Sequence, residues 1–167
     1  IRPVMDMSRI PFLYPSLKGF ENRIVYYESS RGCPFSCSYC LSSIDKTVRF
    51  RSLDLVMKEL DYFLERKVPQ VKFVDRTFNC KKSHALAIWR YLLEHDNGVT
   101  NFHFEISADL IDEEELEVME QMRPGLIQLE IGVQSTNPDT IREIRRKMDL
   151  TKLEAAVDRV HELSLIH

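Results

Sequence analysis

The sequence lacks any hydrophobic run long enough to cross a membrane. A spanning helix needs roughly 20 apolar residues, and the N-terminus also lacks the basic-then-apolar layout of a secretory signal peptide. An excess of one charge is absent too, since 23 basic and 26 acidic side chains leave a formal net charge of −3. This balance gives no electrostatic signal for nucleic acid. We therefore expect a cytoplasmic protein without a membrane segment and without a general nucleic-acid surface.

Cysteine is scarce, and its distribution is uneven. Of the four cysteines, Cys33, Cys37 and Cys40 fall within eight residues, and Cys80 stands alone. In a chain without an export signal, such clustering favours metal binding over disulfides. The 167 residues, 44% hydrophobic and 29% charged, suit a single domain with a hydrophobic core. These features together predict a metal-binding domain.

The first 22 residues differ from the rest of the chain. They contain Pro3, Pro11 and Pro15 and show no sustained periodicity. Such a stretch is typical of a linker or an extended arm rather than of a core element. We therefore divide the chain into an arm over 1–22 and a core domain over 23–167.

Strand and helix patterns alternate four times in the core domain, with a period of roughly 30 residues, the size of a βα unit. Helices are predicted to begin near Ser52 and at the capping boxes that start at Asp112 and Thr151. The strands are expected at 24–27, 71–74, 102–106 and 126–133, the last with apolar character on both faces.

The alternation predicts an α/β fold with a parallel sheet and helical crossovers. With the helices on one side the sheet would form half of a barrel, and a doubly wound sheet is the alternative. The last residues, 163–167, stop where another strand would be expected. We therefore expect a core that is truncated before its later strands.

The cysteines lie in the segment 31–40, which reads Arg-Gly-Cys-Pro-Phe-Ser-Cys-Ser-Tyr-Cys. Its spacing is C-x3-C-x2-C, and Gly32 and Pro34 favour a sharply bent loop. Three thiolates on one tight loop can each reach a different iron of a cubane cluster. The fourth iron then stays open for a small molecule, and an open position generally marks a catalytic site.

Other thiol sites are possible alternatives. Structural zinc is usually held by two pairs of ligands, and the second pair is missing here, although Cys80 or His84 could supply one distant ligand. A cluster used only for electron transfer normally has four cysteine ligands. A zinc-binding interaction module, a simple iron–sulfur electron carrier and a set of buried thiols therefore stand beside the cluster interpretation.

The loop resembles the hallmark of the radical S-adenosylmethionine (SAM) superfamily, C-x3-C-x-(aromatic)-C directly after a first strand. The resemblance implies a [4Fe-4S] cluster held by Cys33, Cys37 and Cys40, with Tyr39 near the adenine of SAM. In that family SAM chelates the unique iron. Reduction of the cluster then cleaves SAM to methionine and a 5′-deoxyadenosyl radical, which abstracts hydrogen from a substrate. A partial (β/α)6 TIM-like barrel, of which this chain would be the first four βα units, and an electron donor such as flavodoxin or ferredoxin are implied as well.

The second predicted strand is followed by Asp75-Arg-Thr-Phe78. Many members of the superfamily carry Gly-Gly-Glu here, whereas this stretch resembles the Asp-x-x-Phe variant of cobalamin-associated members. Because barrel active sites collect at the carboxyl ends of the strands, the resemblance implies a cofactor contact by Asp75 or by nearby backbone carbonyls. A carboxylate that caps the loop is the alternative.

The third and fourth strands carry Glu105 and the segment Gly-Val-Gln-Ser at 132–135. This segment resembles the oxygen-independent coproporphyrinogen oxidase branch. In that branch a strand-three glutamate and this glutamine contact SAM, and an arginine twelve residues farther on meets the SAM carboxylate. The resemblance implies these roles for Glu105, Gln134 and Arg146, which suits their chemistry. The alternative for Arg146 is a solvated basic face on a short helix.

The arm segment 10–14, Ile-Pro-Phe-Leu-Tyr, resembles the connector that follows a cobalamin-binding domain in one large branch of the superfamily. This chain contains no such domain. The resemblance therefore implies cobalamin, and cobalamin-dependent methyl transfer, for a longer parent protein rather than for this chain.

Overall fold

The computed structural model describes residues 4–44, 46–163 and 165. Four parallel strands form the main sheet in the order β1-β4-β5-β6, and β2 and β3 form a small antiparallel pair. In chain order the elements are β1 (Val25–Tyr27), β2 (Ser30–Arg31), β3 (Arg49–Phe50), α1 (Leu53–Glu65), β4 (Gln70–Phe73), α2 (Lys82–Glu94), β5 (Asn101–Ile106), α3 (Glu113–Glu120), β6 (Ile127–Ile131), α4 (Pro138–Glu143) and α5 (Leu150–Glu162).

The strand order decides between the two predicted architectures. A doubly wound sheet reverses its strand order at a switch point, whereas the main sheet here adds each strand beside the previous one. Right-handed crossovers that all run in one direction place their helices on one face of the sheet. The predicted α/β fold, the first part of a TIM-like barrel, is therefore confirmed.

The two faces of the sheet differ in polarity. One face is fully buried beneath the helices and carries Val71, Phe73, Phe102, Phe104, Ile127 and Leu129. The opposite face is partly exposed and carries Lys72, His103, Glu105, Gln128 and Glu130. The prediction that the fourth strand is apolar on both faces was therefore wrong, because β6 alternates like its neighbours.

The helix starts follow the capping chemistry only in part, since α1 begins after the predicted N-cap Ser52 but the side chain of Ser52 makes no capping hydrogen bond. The capping box of α3 is confirmed: Asp112 Oδ1 accepts from Glu115 N at 3.3 Å, and Glu115 Oε2 accepts from Asp112 N at 3.1 Å. For α5 the predicted box at Thr151 was wrong, because Asp149 lies two residues earlier and accepts from Thr151 N and Lys152 N. In the described part of the chain, no helix combines the length and apolarity that crossing a bilayer requires.

The described part of the N-terminal arm contains the 3-10 turn Met7–Arg9 and two hydrogen-bonded turns over 17–23, and it is not separate from the core. Met7 is 2% exposed. The rings of Phe12 and Tyr14 pack on Phe63 of α1, with centroids 5.5 and 5.8 Å away. The hydroxyl of Tyr14 accepts from Tyr26 N at 3.1 Å and donates to Tyr26 O at 2.7 Å. The interpretation of 1–22 as a segment outside the core is therefore corrected for the described part of the arm.

A buried ion pair joins this arm to the domain. Arg51 and Glu59 are 6% and 7% exposed at their side chains, and Arg51 Nε donates to Glu59 Oε2 at 2.8 Å. Arg51 Nη1 also donates to the carbonyl oxygens of Met7, at 2.6 Å, and Ile10, at 2.8 Å. Tyr27 Oη donates to Glu59 Oε2 at 2.7 Å, so the carboxylate is well paired.

Beyond α5 the chain returns to the sheet. Leu165 is buried, and its carbonyl oxygen accepts from Leu129 N of β6 at 2.9 Å. The chain at Leu165 therefore lies beside the β6 edge.

Candidate functional site

The cysteine loop, residues 32–48, is closed at its base by the β2–β3 pair. Ser30 faces Phe50 and Arg31 faces Arg49 in an antiparallel register. Two-residue strands produce no detectable periodicity, so sequence analysis did not find this pair. The loop starts at Gly32 with φ +102°, a backbone conformation that glycine adopts without steric cost.

The loop faces a cavity of about 240 Å³ at the carboxyl ends of β4, β5 and β6. All the predicted site residues except Asp75 line it: Cys33, Cys37, Tyr39, Cys40, Glu105, Gln134 and Arg146. Cys33 and Cys37 are buried and Cys40 is half-buried. Residues that are up to 113 positions apart in the sequence thus meet at one edge of the sheet, as expected for a parallel barrel.

The donor set of the cavity fits an iron–sulfur cluster. The three cysteines of the loop all line the cavity, and Thr77 Oγ1 lies 3.6 Å from Cys33 Sγ. Hydrogen bonds to ligand sulfurs tune the potentials of such clusters. Across residues 4–44, 46–163 and 165, no three His, Cys, Asp or Glu side chains converge tightly enough to hold a single metal ion.

Arg146 is placed by the end of α4 rather than by the helix itself. Arg145 adopts a left-handed conformation with φ +53°, Arg145 N donates to Arg142 O at 3.0 Å, and Arg146 N donates to Ile141 O at 3.1 Å. These two bonds form a Schellman motif. The alternative of a basic helix face is thereby corrected for Arg146, because the motif turns this residue off the helix and into the cavity.

The guanidinium of Arg146 joins the cysteine loop to the sheet. Nη1 donates to Tyr39 Oη at 3.3 Å, and Nη2 donates to the carbonyl oxygen of Gly132. Nε is buried and has no hydrogen-bond partner among the described residues. A buried donor without a partner is unusual, and a carboxylate in the cavity would satisfy it. The site therefore fits an anionic group at this position.

Gln134 occupies a strained backbone position. Its φ is +59°, and Ser135 N donates to Val133 O at 2.8 Å, which forms a γ-turn centred on Gln134. The amide folds back over Gly132, where a Cβ would lie 3.0 Å from Gln134 Nε2. Strained non-glycine residues are concentrated at functional sites. Gly132 thus leaves room for the amide of Gln134 beside the cavity.

Asp75 does not line the cavity. Its carboxylate is fully buried and accepts from Ser29 N at 3.0 Å, Ser29 Oγ at 2.8 Å and Ser30 Oγ at 2.5 Å. These serines directly precede the loop that carries Cys33. The predicted side-chain contact between Asp75 and the cofactor is therefore corrected in favour of the loop-capping alternative.

The buried network behind the loop also contains a histidine. Burial raises the pKa of Asp75 to about 6, against hydrogen bonds from Ser30 and Ser29 that lower it. His84 Nε2 lies 3.1 Å from Ser29 Oγ, and burial lowers the pKa of His84 to about 4, with a further contribution from Lys81. The two groups have opposite linkage signs, since a raised carboxyl pKa favours folding at low pH and a lowered imidazole pKa opposes it.

We expect His84→Gln to weaken the acid sensitivity of folding. As the pH falls from about 6.5 to about 4, unfolded chains bind a proton at His84 that folded chains do not bind, so the wild type loses stability over this window. The variant has no imidazole at this position, so its stability falls less over the same pH window. Urea denaturation at a series of pH values measures the free energy of unfolding of each protein. His161→Gln, at an exposed position, is the matched control. Parallel stability curves for wild type and His84→Gln would contradict the assignment.

Several residues that line the cavity were not singled out from the sequence. They are Phe35, Ser42, Ile106, Ser107 and Lys147. Most directly follow a strand or flank a predicted site residue, which is the signal that could have found them. Asn79 supports this edge, because its amide exchanges two hydrogen bonds of 2.9 Å with the backbone of Ser107.

Comparisons with known proteins agree with this geometry. The family model described as "Radical SAM superfamily" matches residues 27–166. A protein of Pyrococcus horikoshii named "Uncharacterized methyltransferase PH0819" is 38% identical over 63 residues, which are 36% of this chain and 14% of that protein.

Two solved structures of TsrM, a radical S-adenosylmethionine methyltransferase from Kitasatospora setae, share the fold. One contains cobalamin and a [4Fe-4S] cluster; it has a TM-score of 0.72 and 16% identity, and the match covers 86% of this chain. The other, with tryptophan substrate and the SAM analogue aza-SAM, has a TM-score of 0.72 and 16% identity and covers 85% of this chain. This chain spans 29% of the length of TsrM in both. Since the family model matches most of its residues, this chain belongs to the radical SAM superfamily.

Proposed function

We propose that this chain binds a [4Fe-4S] cluster and SAM and is the catalytic core of a radical SAM enzyme. The observation that carries the proposal is the single cavity that brings the three cysteines together with Glu105 and Arg146. When bound and reduced, the cluster supplies the electron that cleaves SAM to methionine and a 5′-deoxyadenosyl radical. The rest of the chemistry depends on how the chain holds SAM.

Cys33, Cys37 and Cys40 would hold three irons of the cluster, and the fourth would face the cavity. Arg146 Nε, buried and without a partner in the part of the chain that the structure describes, is the donor proposed for the SAM carboxylate. Glu105 and Gln134 line the same cavity and can accept hydrogen bonds from ribose hydroxyls.

The charges around the cavity suit a ligand that carries both signs. Arg76, Arg146 and Lys147 line it together with Glu105 and Glu130. SAM has a sulfonium, an ammonium and a carboxylate, so each charged group of the molecule has a group of opposite charge to meet in the cavity. Tyr39 precedes Cys40, and its hydroxyl accepts a hydrogen bond from Arg146. Its ring is proposed to lie near the adenine.

Methyl transfer by a longer protein is the second candidate function. It is supported by the name of the P. horikoshii relative and by the fold shared with TsrM, a methyltransferase bound to cobalamin. In such a protein, cobalamin would be held by a domain outside this chain. We further propose a flavodoxin or ferredoxin as electron donor and the cytoplasm as compartment, because thiols stay reduced there.

Anaerobic reconstitution with iron and sulfide, followed by electron paramagnetic resonance (EPR) of the reduced chain with and without SAM, tests the proposal. We expect a reduced-cluster signal that shifts when SAM is added, since SAM binds at the open iron. The products identify the reaction: methionine and 5′-deoxyadenosine indicate reductive cleavage, whereas S-adenosylhomocysteine indicates methyl transfer.

Two results would contradict the proposal. A cluster signal that is indifferent to SAM would indicate an electron carrier. Bound zinc without sulfide would indicate a zinc-binding module.

A further inference from the structure

A charged cluster lies on the polar face of the sheet, directly below the cavity. Lys72 of β4 is in register with His103 of β5. Two residues farther along β5, Glu105 is in register with Glu130 of β6. Both carboxylates line the cavity, whereas Lys72 does not. The lysine therefore acts on the cavity only through its neighbours.

Lys72 contacts both carboxylates. Nζ lies 2.8 Å from Glu130 Oε2 and 3.5 Å from Glu105 Oε1, so the side chain reaches across β5 to the next strand. The side chains are 21% exposed for Lys72, 29% for Glu105 and 54% for Glu130. Two carboxylates at adjacent registered positions repel each other. The ammonium group between them offsets this repulsion.

His103 does not supply the balancing charge at neutral pH. Its Nε2 lies 3.1 Å from Glu130 Oε2, but the contact does not have hydrogen-bond geometry. Burial lowers the pKa of His103, and the positive charge of Lys72 lowers it further. In contrast, the pKa of Lys72 is raised by its hydrogen bond to Glu130, and the pKa of Glu130 is lowered by the same bond. The remaining neighbours in this row are Tyr26 of β1, in register with Lys72, and Gln128 of β6, in register with His103.

We propose that Lys72 is a positioning residue that holds Glu105 and Glu130 side by side as ionised acceptors for the two hydroxyl groups of a nucleoside ribose. Glu130 thereby becomes a further acceptor, beside Glu105 and Gln134. An ionised carboxylate offers only acceptor sites and binds O–H donors more strongly than a neutral acid does. This inference rests on the proposed function, because the nucleoside is that of SAM.

The binding test compares Lys72→Met and Lys72→Arg in the reconstituted chain. We expect Lys72→Met to weaken the binding of SAM and of S-adenosylhomocysteine by a similar factor of about tenfold or more, because both ligands carry the same ribose. Lys72→Arg restores the positive charge and is expected to bind within about threefold of wild type. The exposed Lys152→Met is the matched control. Isothermal titration calorimetry measures the affinities, and the thermal midpoint of each variant shows that it folds.

Three outcomes would overturn the proposal. The thermal midpoint reports directly whether Lys72→Met folds, so unfolding is distinguished from a loss of binding. Wild-type affinity of a folded Lys72→Met for both ligands would exclude the role. Weaker binding of SAM alone would indicate that the carboxylates contact the sulfonium and not the ribose. A folded Lys72→Arg that binds both ligands as weakly as Lys72→Met would exclude a role for the positive charge of Lys72.

A second measurement does not need SAM. Carbon-13 NMR of the glutamate carboxyl groups in the cluster-free chain, assigned with Glu105→Gln and Glu130→Gln, follows their titration. We expect Glu130 to ionise at a lower pH in wild type and Lys72→Arg than in Lys72→Met, because the hydrogen bond from the ammonium group lowers its pKa. Unchanged titration would overturn the role of Lys72. Absence of SAM binding by the wild type, with the expected titration, would instead overturn the proposed function and the assignment to ribose.

Discussion

Alanine at Cys33, Cys37 or Cys40 is expected to reduce bound iron and sulfide to background, whereas Cys80→Ala is expected to leave the cluster intact. Each of the three loop thiols lines the cavity, and loss of one leaves a second iron without a protein ligand. Cys80 does not line the cavity, and burial raises the pKa of its thiol to about 11. Because thiolates and not thiols bind metals, Cys80 is a poor substitute ligand at neutral pH.

Iron and sulfide analysis after anaerobic reconstitution, with the EPR signal of the reduced chain, measures this effect. Cys80→Ala is the matched control, since it removes one thiol without touching the loop. A cluster that survives Cys40→Ala but disappears in Cys80→Ala would refute the ligand assignment.

Arg51→Met is expected to destabilise the folded chain by about 3–5 kcal/mol, the usual cost of removing one partner of a buried ion pair. The substitution leaves Glu59 buried without its cation and removes the donor to two carbonyl oxygens of the arm. We expect the arm to detach as well, so limited proteolysis within residues 4–22 should become faster.

Urea denaturation followed by circular dichroism measures the loss. Arg142→Met is the control, because its ion pair with Asp139 is 78% and 80% exposed and such pairs contribute about 1 kcal/mol or less. The double variant Arg51→Met/Glu59→Gln should recover part of the stability, since it removes the orphaned charge. Equal effects of Arg51→Met and Arg142→Met would contradict the role of the buried pair.

The main elements of the fold could be predicted because their signals are local. Helix periodicity and the capping box at Asp112 lie within one element, and four βα units in succession limit the sheet topology to few arrangements. The cavity could be anticipated for the same reason, since polar residues that follow parallel strands meet at one edge.

The features that were missed depend on contacts between distant residues. Asp75 looked like a cavity residue, and only its three hydrogen bonds to Ser29 and Ser30, more than forty positions earlier, show why it is buried. The anchoring of the arm likewise depends on Arg51, whose partners Met7 and Ile10 are more than forty positions away. Neither pairing leaves a periodic trace in the sequence.

The two hydrogen bonds between the Tyr14 hydroxyl and the backbone of Tyr26 have a consequence for assembly. β1 is an outer strand of the main sheet, and the unpaired backbone groups of an outer strand are a template for a strand of another molecule. The hydroxyl of Tyr14 pairs with both the backbone N–H and the backbone carbonyl of Tyr26. These two groups are therefore not free to bind a strand of another molecule. Tyr14 thus protects the sheet against edge-to-edge aggregation at β1, and further strands can add at β6, where Leu165 already lies.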